Sequence, residues 1–170
     1  MRLPWPAVVG GVAVAALGAT GLIRGAVPQA QGAGDTGSTT GPIVVTGAYV
    51  RPNVPPTRNA AAYFTVYNTT DKPDRLLSVA SGAGADSVLH TTADNGAMNV
   101  APDGVAVPAR ASLTLSPGKG HVMIEQVAGV LKPGQHVNLE LDFANAGAID
   151  ITATVVPFGQ PAPTPSGAPS

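Results

Sequence analysis

The sequence predicts an all-β fold, a Greek-key antiparallel sandwich, over residues 42–158. Three observations predict it. Turn-forming clusters of Gly, Pro, Asn, Asp and Ser recur at short intervals, at 53–58, 68–74, 81–85, 93–96, 101–104, 116–120, 132–134 and 144–147. The runs between them are short, rich in β-branched residues, and alternate apolar with polar. No stretch of that region holds a helical period over ten residues. Seven to nine strands are expected.

The elements follow in order. Residues 43–50, 60–68 and 75–80 read as the first three strands. The run 86–90 ends on His90, a turn-like segment spans 91–96, and Met98 opens the next short strand. Residues 111–115 direct Leu113 and Leu115 inward. The loop Ser116-Pro117-Gly118-Lys119-Gly120 delivers a strand over 121–127, with Val122 and Ile124 toward the core. Over 136–143, Val137, Leu139, Leu141 and Phe143 share one face, and His136, Asn138, Glu140 and Asp142 the other. The latter is a solvated face, and His136 is assigned no function. Residues 148–156 alternate in the same way, with Ile149, Ile151, Ala153 and Val155 inward.

The rest of the chain differs in composition. Residues 3–23 are almost wholly apolar between Arg2 and Arg24, so residues 1–27 read as a signal peptide or an N-terminal membrane anchor. Both readings stay open, and both imply export to the extracytoplasmic side, the periplasm or the cell-wall side. Residues 28–41 form a low-complexity linker, and 159–170 a disordered Pro-rich tail. The chain has no Cys, which excludes a lipid-modified N-terminal Cys. Its net charge is −1; setting aside Arg2 and Arg24 leaves seven basic against ten acidic groups, with no basic stripe. That distribution argues against nucleic-acid binding.

The candidate chemistry lies in scarce residues. There are three Met and three His in 170 residues. Met98 follows His90, and Met123 follows His121 with one residue between. Alternate residues of a strand point to one face, so His121 and Met123 project side by side, away from the core. Imidazole with thioether is a soft, neutral donor set suited to monovalent copper. His90, Met98, His121 and Met123 are therefore the candidate ligands of a Cu(I) ion. Thioethers also suit an oxidising compartment, where thiolates pair off as disulfides.

Several segments resemble the periplasmic copper chaperones of the PCuAC type. They are Gly47-Ala48-Tyr49-Val50-Arg51, the run Ala61-Ala62-Tyr63-Phe64-Thr65-Val66-Tyr67-Asn68, Asp74-Arg75-Leu76, Leu89-His90, Leu115-Ser116-Pro117-Gly118 and Gly120-His121-Val122-Met123. The resemblance runs from about residue 44 to 156. It implies a cupredoxin-like β-sandwich that binds copper(I) outside the cytoplasm. It also implies an acceptor copper protein such as a cytochrome oxidase subunit. His90, His121 and Met123 match the family pattern of a His, a Met and a His-x-Met. The spacing leaves the second position open between Met98 and Val100, which share a strand face.

Other functions have less support. A blue-copper electron carrier needs a Cys thiolate, and structural zinc ordinarily uses Cys or more His. No Gly-x-Ser-x-Gly elbow is present, so no enzyme is expected. The alternative is an exported β-sandwich adhesion or assembly module in which Met and His are incidental.

Overall fold

The computed structural model describes residues 41–164. Ten strands occupy that span. They are β1 (Ile43–Arg51), β2 (Ala60–Asn68), β3 (Asp74–Ser81), β4 (Asp86–Thr92) and β5 (Met98–Val100), then β6 (Val105–Val107), β7 (Ser112–Leu115), β8 (Gly120–Glu125), β9 (His136–Phe143) and β10 (Gly147–Val155). The count exceeds the expected seven to nine. The unforeseen strand is β6, whose three residues are too few to show a period of two. The expected signal peptide or anchor, the linker up to residue 40 and the tail from residue 165 lie outside the described residues.

The strands form one hydrogen-bonded path, β5-β4-β8-β2-β1-β10-β9-β3-β6, with β7 also paired to β2. The chain crosses between the two ends of this path after β2, β3, β5, β6 and β8. Pairing is antiparallel except between β1 and β10, which run parallel. The path curls so that its two halves enclose one core. Phe64, Leu89, Leu115, Val122 and Ile124 come from one half, and Leu76, Val79, Leu139, Leu141, Phe143, Ile151 and Val155 from the other. The alternation of β9 and β10 sets this directly, because each inward position is apolar and each outward one polar or small.

Two local features place the site. β2 is longer than either partner on its far edge, so it pairs first with β8 (Ala60–Ala62 against Val122–Ile124) and then with β7 (Phe64–Tyr67 against Ser112–Leu115). β1 carries a bulge between Thr46 and Tyr49, with Gly47 at φ 63°. Before the bulge Ile43 and Val45 point inward; after it Ala48 and Val50 do. The inserted residue therefore turns Tyr49 and Arg51 to the outer face.

Loop ends are closed by buried polar side chains. The Asp74 carboxylate accepts from the backbone N–H groups of Arg75, Asn145 and Ala146, at 2.7, 2.9 and 3.0 Å. Asn53 donates to the Gly129 carbonyl at 3.0 Å and accepts from the Leu131 N–H at 3.1 Å.

Candidate metal centre

β4 and β8 pair antiparallel, and their register sets His90 directly opposite His121. The two rings lie 5.0 Å apart between centroids at 30°. Val122 and Ile124 are fully buried in the core, so His121 and Met123 share the opposite face, as the alternation predicts. That face is not open at His121, which is only 8% exposed. Tyr63 of β2 covers one side of its ring at 6.1 Å, and His90 the other.

Gly120 lets β8 approach this closely. A Cβ there would sit 2.6 Å from the His90 carbonyl oxygen and 3.2 Å from Leu115 Cδ2, and the residue has φ +151°. Any side chain would push β8 from β4 at the histidine pair.

Neither imidazole makes a side-chain hydrogen bond to protein among the described residues. His90 Nδ1 is buried with no hydrogen-bond partner. A buried orphan nitrogen is costly unless something binds it. Burial pushes the His121 pKa below the usual imidazole value, and the neighbouring His90 adds to the effect. A neutral ring is the form that binds metal. Burial likewise pushes the Tyr49 and Tyr63 phenols up, so they stay uncharged. Among the described residues no three of His, Cys, Asp and Glu gather into a metal-binding cluster. The soft donors nearest the two imidazoles on this face are methionine sulfurs.

The two methionines are placed unequally. Met123 is half-buried, opposite Val88, one step along β8 from the histidine row on the same face. Met98 pairs with Thr92 at the edge strand β5 and is 56% exposed. It is on the ligand face, but on the far side of the histidine row from Met123. Strand spacing of ~4.8 Å and a rise of ~3.4 Å per residue put the two Met Cα atoms about 17 Å apart. A Met sulfur reaches about 4 Å from its Cα and a metal–sulfur bond adds about 2.3 Å, so sharing one ion requires about 13 Å or less. The two thioethers therefore cannot both reach one ion in this arrangement; Met123 is the half-buried one and Met98 the exposed one. The residue opposite His90 on β5 is Val100, also 56% exposed.

Sequence reasoning missed the aromatic neighbours. Tyr49 and Tyr63 stack at 5.0 Å and 24°, with the Arg51 guanidinium 5.1 Å above Tyr49. The alternation of β2 marks Tyr63 as outward, but only the β2–β8 pairing shows that it meets His121. His136 stands exposed on β9, its Nδ1 3.4 Å from Thr154 Oγ1.

Among solved structures, the copper-bound PCuAC domain from PmoF2 matches with a TM-score of 0.60 at 26% identity, covering 69% of this chain and 94% of that domain. The copper(I) form of DR1885 from Deinococcus radiodurans matches at 0.55 with 34% identity, covering 65% of this chain and 75% of that one. Its apo form covers 91% and 95%, at 0.55 and 30% identity. The fold is therefore that of PCuAC domains, the cupredoxin-like β-sandwich that the sequence resemblance implies. A curated relative, "Putative lipoprotein Lxx21020" of Leifsonia xyli subsp. xyli, is 31% identical over 101 residues, 58% of this chain. The match spans 61% of that relative's length. The family described as "Putative lipoprotein LpqE-like" matches residues 43–155, nearly all of the β-domain, and the chain belongs to that LpqE-like family.

Proposed function

We propose that this protein is an extracytoplasmic copper(I)-binding metallochaperone. The observation that carries the reading is the facing pair His90 and His121, flanked by Met123, with a buried His90 nitrogen that nothing else satisfies. The copper-bound relatives among the structural matches support it. His90, His121 and Met123 hold the ion. Met98, on the exposed edge strand, is the fourth, exchangeable ligand, and it closes on the ion only if β5 shifts.

Transfer is then ligand exchange at constant oxidation state. Copper stays monovalent, an acceptor's thioether or imidazole bonds to it, and a Met–copper bond breaks. The exposed side of the site is the β5 edge, so an acceptor enters there. The acceptor class put forward is a copper centre of cytochrome oxidase. The names of the relatives speak for export or membrane anchoring. None of the 170 residues is Cys, so the thioether-linked lipid of a lipoprotein has no attachment residue in this sequence. Any anchoring within it rests on the apolar residues 3–23.

The test is a Cu(I) titration under reductant against a chromophoric chelator, in wild type, Met98→Leu and Met123→Leu. One equivalent held by wild type, lost in Met123→Leu and only weakened in Met98→Leu, supports the reading. No binding by wild type would overturn it and leave a β-sandwich interaction module.

A further inference from the structure

A metal-binding His ordinarily donates its second ring N–H to a carboxylate or carbonyl, which fixes the ring. His121 has no such partner among the described residues. Its ring contacts are with Tyr63 at 6.1 Å and His90 at 5.0 Å. Among the described residues, the groups that bear on the orientation of its ring are these aromatic neighbours.

The outer face supplies a column of flat groups. Arg51 lies 5.1 Å over Tyr49, Tyr49 stacks on Tyr63 at 5.0 Å, and Tyr63 meets His121 at 50°. The far end is pinned. The Arg51 guanidinium donates to the carbonyls of Val156 at 3.2 Å and Gln160 at 2.9 Å, and to that of Pro157. Two of the four members reach this face only because of the β1 bulge at Gly47. Without it, alternation from Ile43 and Val45 would turn Tyr49 and Arg51 into the core.

We propose that Arg51, Tyr49 and Tyr63 are a positioning column that holds the His121 imidazole in its metal-binding orientation, where no protein hydrogen bond does so. Tyr63 acts through its ring. Its phenolic oxygen is not required. The inference rests on His121 being a copper(I) ligand, and it assigns Tyr63 the role that an outer-shell carboxylate plays elsewhere.

The experiment uses the full chain as wild type, Tyr63→Phe, Tyr63→Leu and Tyr63→Thr. Tyr63 is half-buried on the outer face and outside the core cluster, so these variants keep the core intact. Two quantities are read. One is the NMR order and nitrogen shifts of the His121 ring in metal-free protein. The other is Cu(I) affinity by chelator competition. The column predicts that Tyr63→Phe matches wild type in both. Tyr63→Leu and Tyr63→Thr should show a mobile His121 ring and about tenfold or more weaker Cu(I) binding. An ordered His121 ring with unchanged affinity in both of those variants would overturn the column while leaving the copper reading intact. Loss of affinity in Tyr63→Phe equal to that in Tyr63→Leu would also overturn it, because the oxygen and not the ring would then matter. If wild type binds no Cu(I), the column falls together with the reading beneath it, whatever the ring spectra show.

Discussion

Replacing Gly120 by Ala tests whether close approach of β8 to β4 is what assembles the histidine pair. The added methyl would lie 2.6 Å from the His90 carbonyl oxygen, and real Cβ contacts essentially never fall under 3.0 Å. The strands must therefore separate by at least 0.4 Å at this point, and the obstacle is backbone, which cannot swing aside as a side chain can. Such overpacking costs about 1–3 kcal/mol. Forcing a non-Gly residue to φ +151° adds about 1–3 kcal/mol. The expected loss is about 2–6 kcal/mol, a large share of the ~5–15 kcal/mol typical of a domain. Gly118→Ala is the control, since φ is +85° there but nothing lies within 4 Å of the new Cβ; it should cost only about 1–2 kcal/mol. Urea unfolding of the metal-free protein gives both values, and chelator competition gives Cu(I) affinity. Gly120→Ala should lose at least tenfold in affinity while Gly118→Ala keeps it. Equal stability and equal copper binding in the two variants would refute the reasoning.

Other outcomes follow from the same geometry. Val100→Met places a thioether directly opposite His90, so it should tighten Cu(I) binding about tenfold or more and make Met98→Leu silent in that background, as read by competition titration. The lowered His121 pKa makes folding stability acid-sensitive. Well above pH ~6.5, the ordinary imidazole value, neither folded nor unfolded His121 is protonated and its contribution is whole. As pH falls below that, the unfolded state takes up the proton first, and the contribution is lost by the time pH passes the folded value. The stability difference between wild type and His121→Gln, measured by unfolding at several pH values, should be flat well above pH ~6.5 and shrink below it. Asp74→Ala strands three backbone N–H groups at the far loop end and should cost about 2–4 kcal/mol in urea unfolding, with Cu(I) affinity unchanged at temperatures where it is folded.

The sequence carried the fold well where the strands are long. His136–Phe143 alternates without a break, and its bounds coincide with β9. Gly147–Val155 differs from the expected 148–156 by one residue at each end. The strand over 121–127 stops at Glu125, because Gln126 turns to φ 53°. β6 went unread because three residues between a turn and Pro108 carry no period. At the site, the pairing of His121 with Met123 was legible, since it needs only alternation within one strand. The burial of His121 was not, because its cover comes from Tyr63 and His90, on strands far away in sequence. Nor was the placement of Met98. Whether Met98 or Val100 faces His90 depends on the β4–β5 register, which a loosely held three-residue edge strand does not encode in its pattern. The Gly47 bulge hid the aromatic column in the same way, by breaking the alternation that would place Tyr49.

In the proposed site one copper(I) ion sits between His90, His121 and Met123. X-ray absorption on the Cu(I)-loaded protein, wild type beside Met123→Leu, tests it most directly. The expected result is a monovalent edge and a shell of two nitrogen donors with at least one sulfur in wild type, and loss of a sulfur scatterer in Met123→Leu. A shell of nitrogen and oxygen alone in wild type, or one unaltered by the substitution, would contradict it.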